Sequence, residues 1–551
     1  MFIRQEKKSS GTYLSICKNY RDKDNKVRQK HLRSLGKLAD YQPEELRQVA
    51  TRLYELAGGD SKDLTMNTPQ ELGRYNYGFP YLLRKLLLDY GLDKLFERIE
   101  RRHRLSYDVF SIVLLLLCDR FNDPLSKLAT HDYQSEYVGI APVKLHQIYR
   151  ALDKIGQHKE LIQRHLYQQH YRQQSYHCDV VFYDVTTFYF DSQVEQTGSL
   201  RQKGFGKDGK IGKTKVVFGM LIDRHKNPIS YQVYKGNQYE GHTMGDVLRK
   251  LKKQYHIGKV VVVADRGMMN KDNVSLFDKG NDLADYEYII GERLKNSPAA
   301  VKAHLTNLEN YKTHYFEDKK GEKVGLQCCR FTYKNKTIIG TYSAKRAKKD
   351  RLDRAARIEK ALRMTPSQLQ KKAKRYYLKA TENQQFILDQ ERIDKAARFD
   401  GFMAIATSDA ALSDVEIIDQ YKHLYQIEQS FRTFKSYLEI RPMFHWTDAR
   451  IEGHICMCYI AYCLLNYLQQ QLRAIGQAHS ERHIRRLLSK MQVSKVQLGS
   501  YSYYMRAAMD EETEALLKLF KLNKMTDFMP EAKIKYYFDR ICSGKLKKLK
   551  Y

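Results

Sequence analysis

The stretch VVFYDVTTFYFD, residues 180–191, decides how this chain is read. Its β-branched and aromatic residues have the composition of a buried strand, yet an acid, Asp184, stands inside it. A second run, VVVVADRG at residues 260–267, places Asp265 at its apolar end. Burying a carboxylate is costly unless something positive meets it. A third acid, Glu428, lies in YKHLYQIEQSFRTFK, residues 421–435, where the apolar spacing is helical. A ligand set made of carboxylates alone suits hard, oxygen-seeking ions, Mg²⁺ or Mn²⁺. Two strand acids and one helix acid around a divalent cation point to phosphodiester chemistry.

Tyr421, Glu428 and Lys435 recur at intervals of seven, and a straight helix drifts only ~20° over seven residues. The three are therefore expected on one face of one helix. It should begin near Ser413, which forms a capping box with Glu416, and end before Pro442. Tyr421 and Lys435 on that face suit phosphate contacts that seat DNA; the plainer alternative is ordinary helix surface.

The pattern Tyr421, Leu424, Glu428, Lys435 resembles the Tyr-Arg-Glu-Lys signature of bacterial insertion-sequence DDE transposases, with Leu424 where the signature has Arg. Nearby Arg432 or Lys422 can supply the positive charge instead. Further elements resemble the same group in the same order. They are the Asp184, Thr186, Thr187 strand, Gly236-Asn237, the Ala-Asp-Arg-Gly segment at 264–267, Phe-Asp-Gly-Phe at 399–402 and Ala-Arg-Ile-Glu-Gly-His at 449–454. Together they cover residues 176–470.

The resemblance implies an α/β, ribonuclease H-like (retroviral-integrase-like) core with a helical N-terminal region and an insertion domain between Asp265 and Glu428. It implies catalytic and metal-holding roles for Asp184, Asp265 and Glu428, with two Mg²⁺ or Mn²⁺ ions ~4 Å apart sharing Asp184. DNA-contacting roles fall to Tyr421, Lys435 and Arg432. The implied activity is strand cleavage at the terminal inverted repeats of the element, then strand transfer into target DNA by a homodimer. The triad alone leaves open a stand-alone nuclease or an inactive DNA-binding derivative.

Composition agrees with a polyanionic partner: 96 Lys+Arg against 64 Asp+Glu give a formal charge of +32, spread along all 551 residues. The nine cysteines include no C-x-x-C pair, which suits a reducing compartment and argues against structural zinc. The first residues lack the apolar stretch of a signal peptide. Apolar runs at 110–118 and 455–465 fall short of the ~20 residues that span a bilayer, so the expectation is a soluble, cytoplasmic protein. Residues 206–214 imitate a nucleotide-binding P-loop but carry one residue too many and lead into a strand, so no nucleotide cofactor is expected; the segment reads as a flexible connector whose Lys207, Lys210 and Lys213 can approach DNA.

The pattern together with the resemblance divides the chain into six parts: a β-hairpin and helix at 1–60; a helical domain at 61–175, to which the resemblance assigns contact with DNA; core at 176–295; a segment at 296–398 that the resemblance implies is an insertion; core again at 399–475; and a basic helical region at 476–551. Within them, residues 215–222 and 229–234 read as a hairpin, 344–377 as a charged helix and 451–468 as an amphipathic helix covering the sheet. Trp446, with Arg441, Pro442, Phe444 and His445, reads as core in preference to a base wedge.

Overall fold

Dense apolar runs can be satisfied only inside a sheet covered on both faces, and a computed structural model of the chain gathers them into one. The structure describes all residues except 24, 61–68, 173–177, 205–211, 256, 258–259, 269, 318–322, 335, 366–367, 369–375, 382–385, 410, 499–500, 543 and 545–551; the side chains of 172, 271, 316–317 and 323–324 are also outside the description. Lys207 and Lys210 of the P-loop imitation thus lie outside the described residues.

Among the described residues the sheet has ten strands: β1 (Val180–Tyr189), β2 (Gln202–Lys203), β3 (Thr214–Asp223), β4 (Pro228–Lys235), β5 (Val261–Ala264), β6 (Glu287–Glu292), β7 (Lys312–Glu317), β8 (Lys323–Tyr333), β9 (Lys336–Tyr342) and β10 (Phe402–Thr407). Their order is β7-β8-β9-β10-β6-β5-β1-β3-β2, with β4 also paired to β3. β3 is antiparallel to β1 and β4, whereas β5 is parallel to β1 and β6. The order β4-β3-β1-β5-β6, three antiparallel strands followed by two parallel ones, is the ribonuclease H-like arrangement.

One face of this core packs Val181, Tyr183, Val185, Val217 and Leu221 against Val247, Leu248 and Leu251 of α1 (Met244–Tyr255). Residues 296–398, expected as an insertion domain, do not stand apart from the sheet. β9 pairs antiparallel with β10, and β10 with β6, so β7, β8 and β9 prolong the core sheet. The charged helix is shorter than expected, α2 (Ala344–Leu362). Its Arg354 forks onto both carboxylate oxygens of Asp400 at 2.6 and 2.7 Å, and Asp350 accepts the Gly401 N–H at 3.0 Å.

The helix expected to start at Ser413 does so with its capping box, but it breaks. It forms α3 (Asp414–Lys422) and, after His423 and Leu424, α4 (Tyr425–Ser436). At the break, the N–H groups of Leu424, Gln426 and Ile427 reach back three residues, to Tyr421, His423 and Leu424. Tyr421 therefore belongs to a different helix from Glu428 and Lys435. The following helix, α5 (Asp448–Ala474), is buried around almost its whole circumference instead of being amphipathic. It is the one described helix long and apolar enough to cross a membrane, and 94% of that apolar window is buried inside the protein, which accounts for its composition. It packs backbone to backbone on the helix Leu145–Gln157: a Cβ on Gly453 would come 2.1 Å from the Leu152 carbonyl oxygen. Only glycine permits that approach.

Residues 1–75, 492–508 and 525–536 form a separate compact unit. The expected N-terminal hairpin is part of an antiparallel sheet, Phe2–Lys8, Gly11–Arg21 and Val27–Lys37, followed by the helix Pro43–Leu56. A four-stranded sheet joins Gln70–Asn76 to Gln492–Leu498, Tyr501–Arg506 and Phe528–Pro530. The C-terminal region is thus strand-bearing as well as helical, because the alternation in QVSKVQL at 492–498 favours a half-buried strand.

Candidate active site

Parallel pairing of β1 with β5 ends at Tyr183 opposite Ala264, so Asp184 and Asp265 are the next residues on two adjacent strands. Adjacent strands lie ~4.8 Å apart, which brings the two acids to one edge of the sheet. β5 stops there, whereas β1 continues to Tyr189 against β3 alone. Asp184 is half-buried and one of its oxygens accepts the Val185 N–H at 2.7 Å; Asp265 is exposed.

Alternation along β1 places Phe182, Asp184, Thr186 and Phe188 on one face. α4 covers that face: Phe434 lies 6.4 Å from Phe188 and 5.5 Å from Phe218, and Phe431 lies 6.2 Å from Phe218, between ring centroids. Glu428 stands one turn before Phe431 on α4, exposed. The structure thus brings Glu428 to the face of the sheet on which Asp184 lies. Arg432 is exposed and Lys435 half-buried further along the same helix. Leu424, at the signature Arg position, is buried at the break, 8% exposed, whereas Lys422 and Arg432 are exposed.

Tyr421 lies where the seven-residue spacing did not put it. Its hydroxyl donates to Asp265 Oδ1 at 3.4 Å, and burial together with the Asp265 charge pushes the phenol well above its usual pKa. Gly291 on β6 makes the room: a Cβ there would stand 2.3 Å from the Tyr421 hydroxyl. Sequence reasoning missed Gly291 altogether, since an isolated glycine in a strand signals only some close approach.

Among the described residues no ion pair reaches Asp265 or Glu428, and no described group of ligand atoms within 4.8 Å of one another contains the triad. Exposed carboxylates with their charge unneutralised, beside a half-buried third, are a donor set that fits a hard divalent cation. A cleft of about 730 Å³ opens beside Asp265 and Tyr421, edged by Arg266 and Arg293, which follow β5 and β6, and by Arg346 and Arg357 from α2. Of these, Arg266 stands in the Ala-Asp-Arg-Gly segment and Arg346 in the charge run at 345–351, whereas Arg293 and Arg357 were legible only as general basic charge. Trp446 and Phe444, expected in the core, are 54% and 61% exposed. Trp446 is held instead by stacking on the Arg201 guanidinium, 3.8 Å from its ring, which the Val194 carbonyl and Ser192 hydroxyl fix in place.

Residues 179–464 match the family model described as Transposase DDE domain, and residues 3–63 match the IS1634 family transposase, N-terminal domain. Among solved structures, the piggyBac transposase synaptic complex with hairpin DNA is similar over 87% of this chain and 88% of that one, at 10% identity and a TM-score of 0.37. The Mos1 transposase paired-end complex with left transposon end is similar over 33% of this chain and 59% of that one, at 11% identity and a TM-score of 0.15. Likenesses this distant add nothing to the reading. No curated protein matches the chain. The DDE match spans more than half of the 551 residues and contains all three acids: the chain belongs to the DDE transposase family, as a DNA transposase of the insertion-sequence kind, a class that depends on divalent metal.

Proposed function

We propose that Asp184, Asp265 and Glu428 are the catalytic acids and hold two Mg²⁺ or Mn²⁺ ions, and that the protein cuts DNA at the terminal inverted repeats of its element and joins the freed ends to target DNA. The observation that carries this reading is the side-by-side emergence of Asp184 and Asp265 beyond the Tyr183–Ala264 pair, on a sheet whose Asp184 face is covered by the Glu428 helix. Bound divalent cations would activate an attacking water or 3′-hydroxyl and stabilise the leaving oxygen. The residues of the chain hold and orient. Tyr421 fixes the Asp265 carboxylate through its hydroxyl, and Gly291 keeps space for that hydroxyl. Lys435 and Arg432 seat the phosphate backbone along α4, and Arg266, Arg293, Arg346 and Arg357 receive DNA in the cleft. No side chain forms a covalent bond to DNA, so one site serves both cutting and joining. Two copies act together on two ends, in the cytoplasm, with no nucleotide cofactor, and the formal charge of +32 supports a duplex partner.

The test is a single-turnover reaction of the purified protein with a duplex carrying an element end and a target plasmid. Cleavage in Mg²⁺ or Mn²⁺, its loss in chelator and joined products are expected. Chelator-resistant cutting would overturn the metal assignment, and cutting without joining would favour a nuclease.

A further inference from the structure

We propose that His479, His483 and Glu512 form a second metal site, for a borderline transition ion with Zn²⁺ foremost, separate from the catalytic carboxylates. Their ligand atoms all lie within 4.8 Å of one another. Tetrahedral zinc holds its donors about 3.3 Å apart, so side-chain rotation alone can close the set.

The local sequence builds this geometry. Ser480 caps the helix Glu481–Lys490 and accepts the His483 N–H at 3.3 Å, so His479 and His483 stand four residues apart across the helix start. Their rings lie 4.2 Å apart. Glu512 comes from the first turn of the helix Glu511–Leu519, and a Lys490–Asp510 ion pair of 2.5 Å ties this helix start to the end of the other helix. His483 Nε2 meets the Glu512 carboxylate at 3.0 Å. No Lys or Arg pairs with Glu512 among the described residues.

A second observation points to a ligand. His479 Nε2 is a buried atom with no hydrogen-bond partner among the described residues. A buried nitrogen left so is costly, and an ion bound by all three groups would satisfy it. Two imidazoles and one carboxylate, all partly exposed, leave a position for water, and this donor set prefers Zn²⁺ to Mg²⁺. The other trio of comparable spacing, His314, Cys328 and Asp414, is a poorer candidate because Asp414 is already paired with Arg330 at 2.6 Å. The cysteine pattern that argued against zinc does not bear on a site without cysteine. Between the two helices the chain leaves for residues 492–508 of the other compact unit. An ion here would pin both ends of that excursion to each other.

The test uses the full chain, stripped with chelator and titrated with Co²⁺ in excess Mg²⁺. The expected result is one equivalent of Co²⁺ with the intense visible absorption of a four-coordinate site, displaced by Zn²⁺, and a Zn²⁺-dependent rise in Tm. His479→Gln, His483→Gln and Glu512→Gln should each weaken Co²⁺ binding at least about tenfold and lose the Tm rise, while melting like the stripped wild type. Glu428→Gln should keep both signals. Absence of the absorption in the wild type, its persistence in His483→Gln and Glu512→Gln, or its loss in Glu428→Gln would overturn the proposal. Glu512 is partly exposed, so its variant remains informative where a histidine variant fails to fold.

Discussion

The two halves of the central sheet are built to different rules. In β3 all ten residues are buried, and in β5 three of four, so apolar density alone marks these strands and the acids at Asp184 and Asp265 stand out against it. β7 lies at the far edge, with Lys312 and Thr313 exposed and Tyr315 67% exposed. Edge strands bear packing on fewer sides and carry charge that discourages further pairing. The difference separates tasks: the core half sets the carboxylates in a rigid frame, and the added half, with α2, closes a basic cleft beside them.

The largest effect should follow from the core half. Asp184→Asn, Asp265→Asn and Glu428→Gln should each reduce end cleavage to background in Mg²⁺ while gel-shift affinity for the element end is retained, since the basic surface is untouched. Substantial cutting by all three would sink the triad and with it the division of tasks.

Next comes the contact between β6 and α3. Tyr421→Phe removes the hydroxyl that orients Asp265, and Gly291→Ala pushes that hydroxyl away. Losses of an orienting group of this kind typically cost about 10–100-fold in metal affinity or activity. Both variants should therefore need more Mn²⁺ to reach half-maximal cleavage. An unchanged Mn²⁺ requirement in Tyr421→Phe would return Tyr421 to the role its helix spacing suggested, a DNA contact alone.

That spacing shows where the sequence stopped being readable. Asp184 and Asp265 were legible because a carboxylate inside a buried run contradicts its surroundings. Glu428 was legible by its place on a helix. The break at His423 and Leu424 was not, because no Gly or Pro marks it. Burial of Leu424 and Ile427 overrides helix continuity there, and it places Tyr421 on its own helix, within reach of Asp265. Trp446 was misread for a related reason: its partner Arg201 lies far away in sequence, and no local pattern announces a stacking contact that leaves the ring exposed. β8 and β9 are legible as strands at 324–333 and 337–342 whereas β7 is not, and membership of the core sheet depends on the pairing of β9 with β10, a contact that local alternation cannot specify.

A smaller effect is expected at the join between the halves. The Arg354–Asp400 fork is nearly buried, with side chains 12% and 18% exposed. Arg354→Ala should lower stability by about 1–3 kcal/mol, between the ranges for surface and buried pairs. Denaturant melting measures this. An unchanged midpoint would mean that α2 is held by its other contacts, among them the Asp350–Gly401 hydrogen bond.

The smallest effect bears most directly on the added half. Arg293 follows β6 of the core and Arg357 belongs to α2, and both line the cleft beside Asp265. If each neutralises one phosphate, each alanine variant should weaken binding to all duplex sequences alike and lower the slope of log affinity against log salt by about one. The wild type itself, with its charge of +32, should show a steep slope. Arg293→Ala tests only the core side of the cleft. Arg357→Ala, alone and combined with Arg346→Ala, decides the comparison, because these two arginines are what α2 offers the cleft besides bracing the sheet. A slope lowered by Arg293→Ala and left unchanged by the Arg346 and Arg357 variants would make the added half a scaffold, and the DNA path would then keep to the core side of the cleft and to α4, past Arg432 and Lys435.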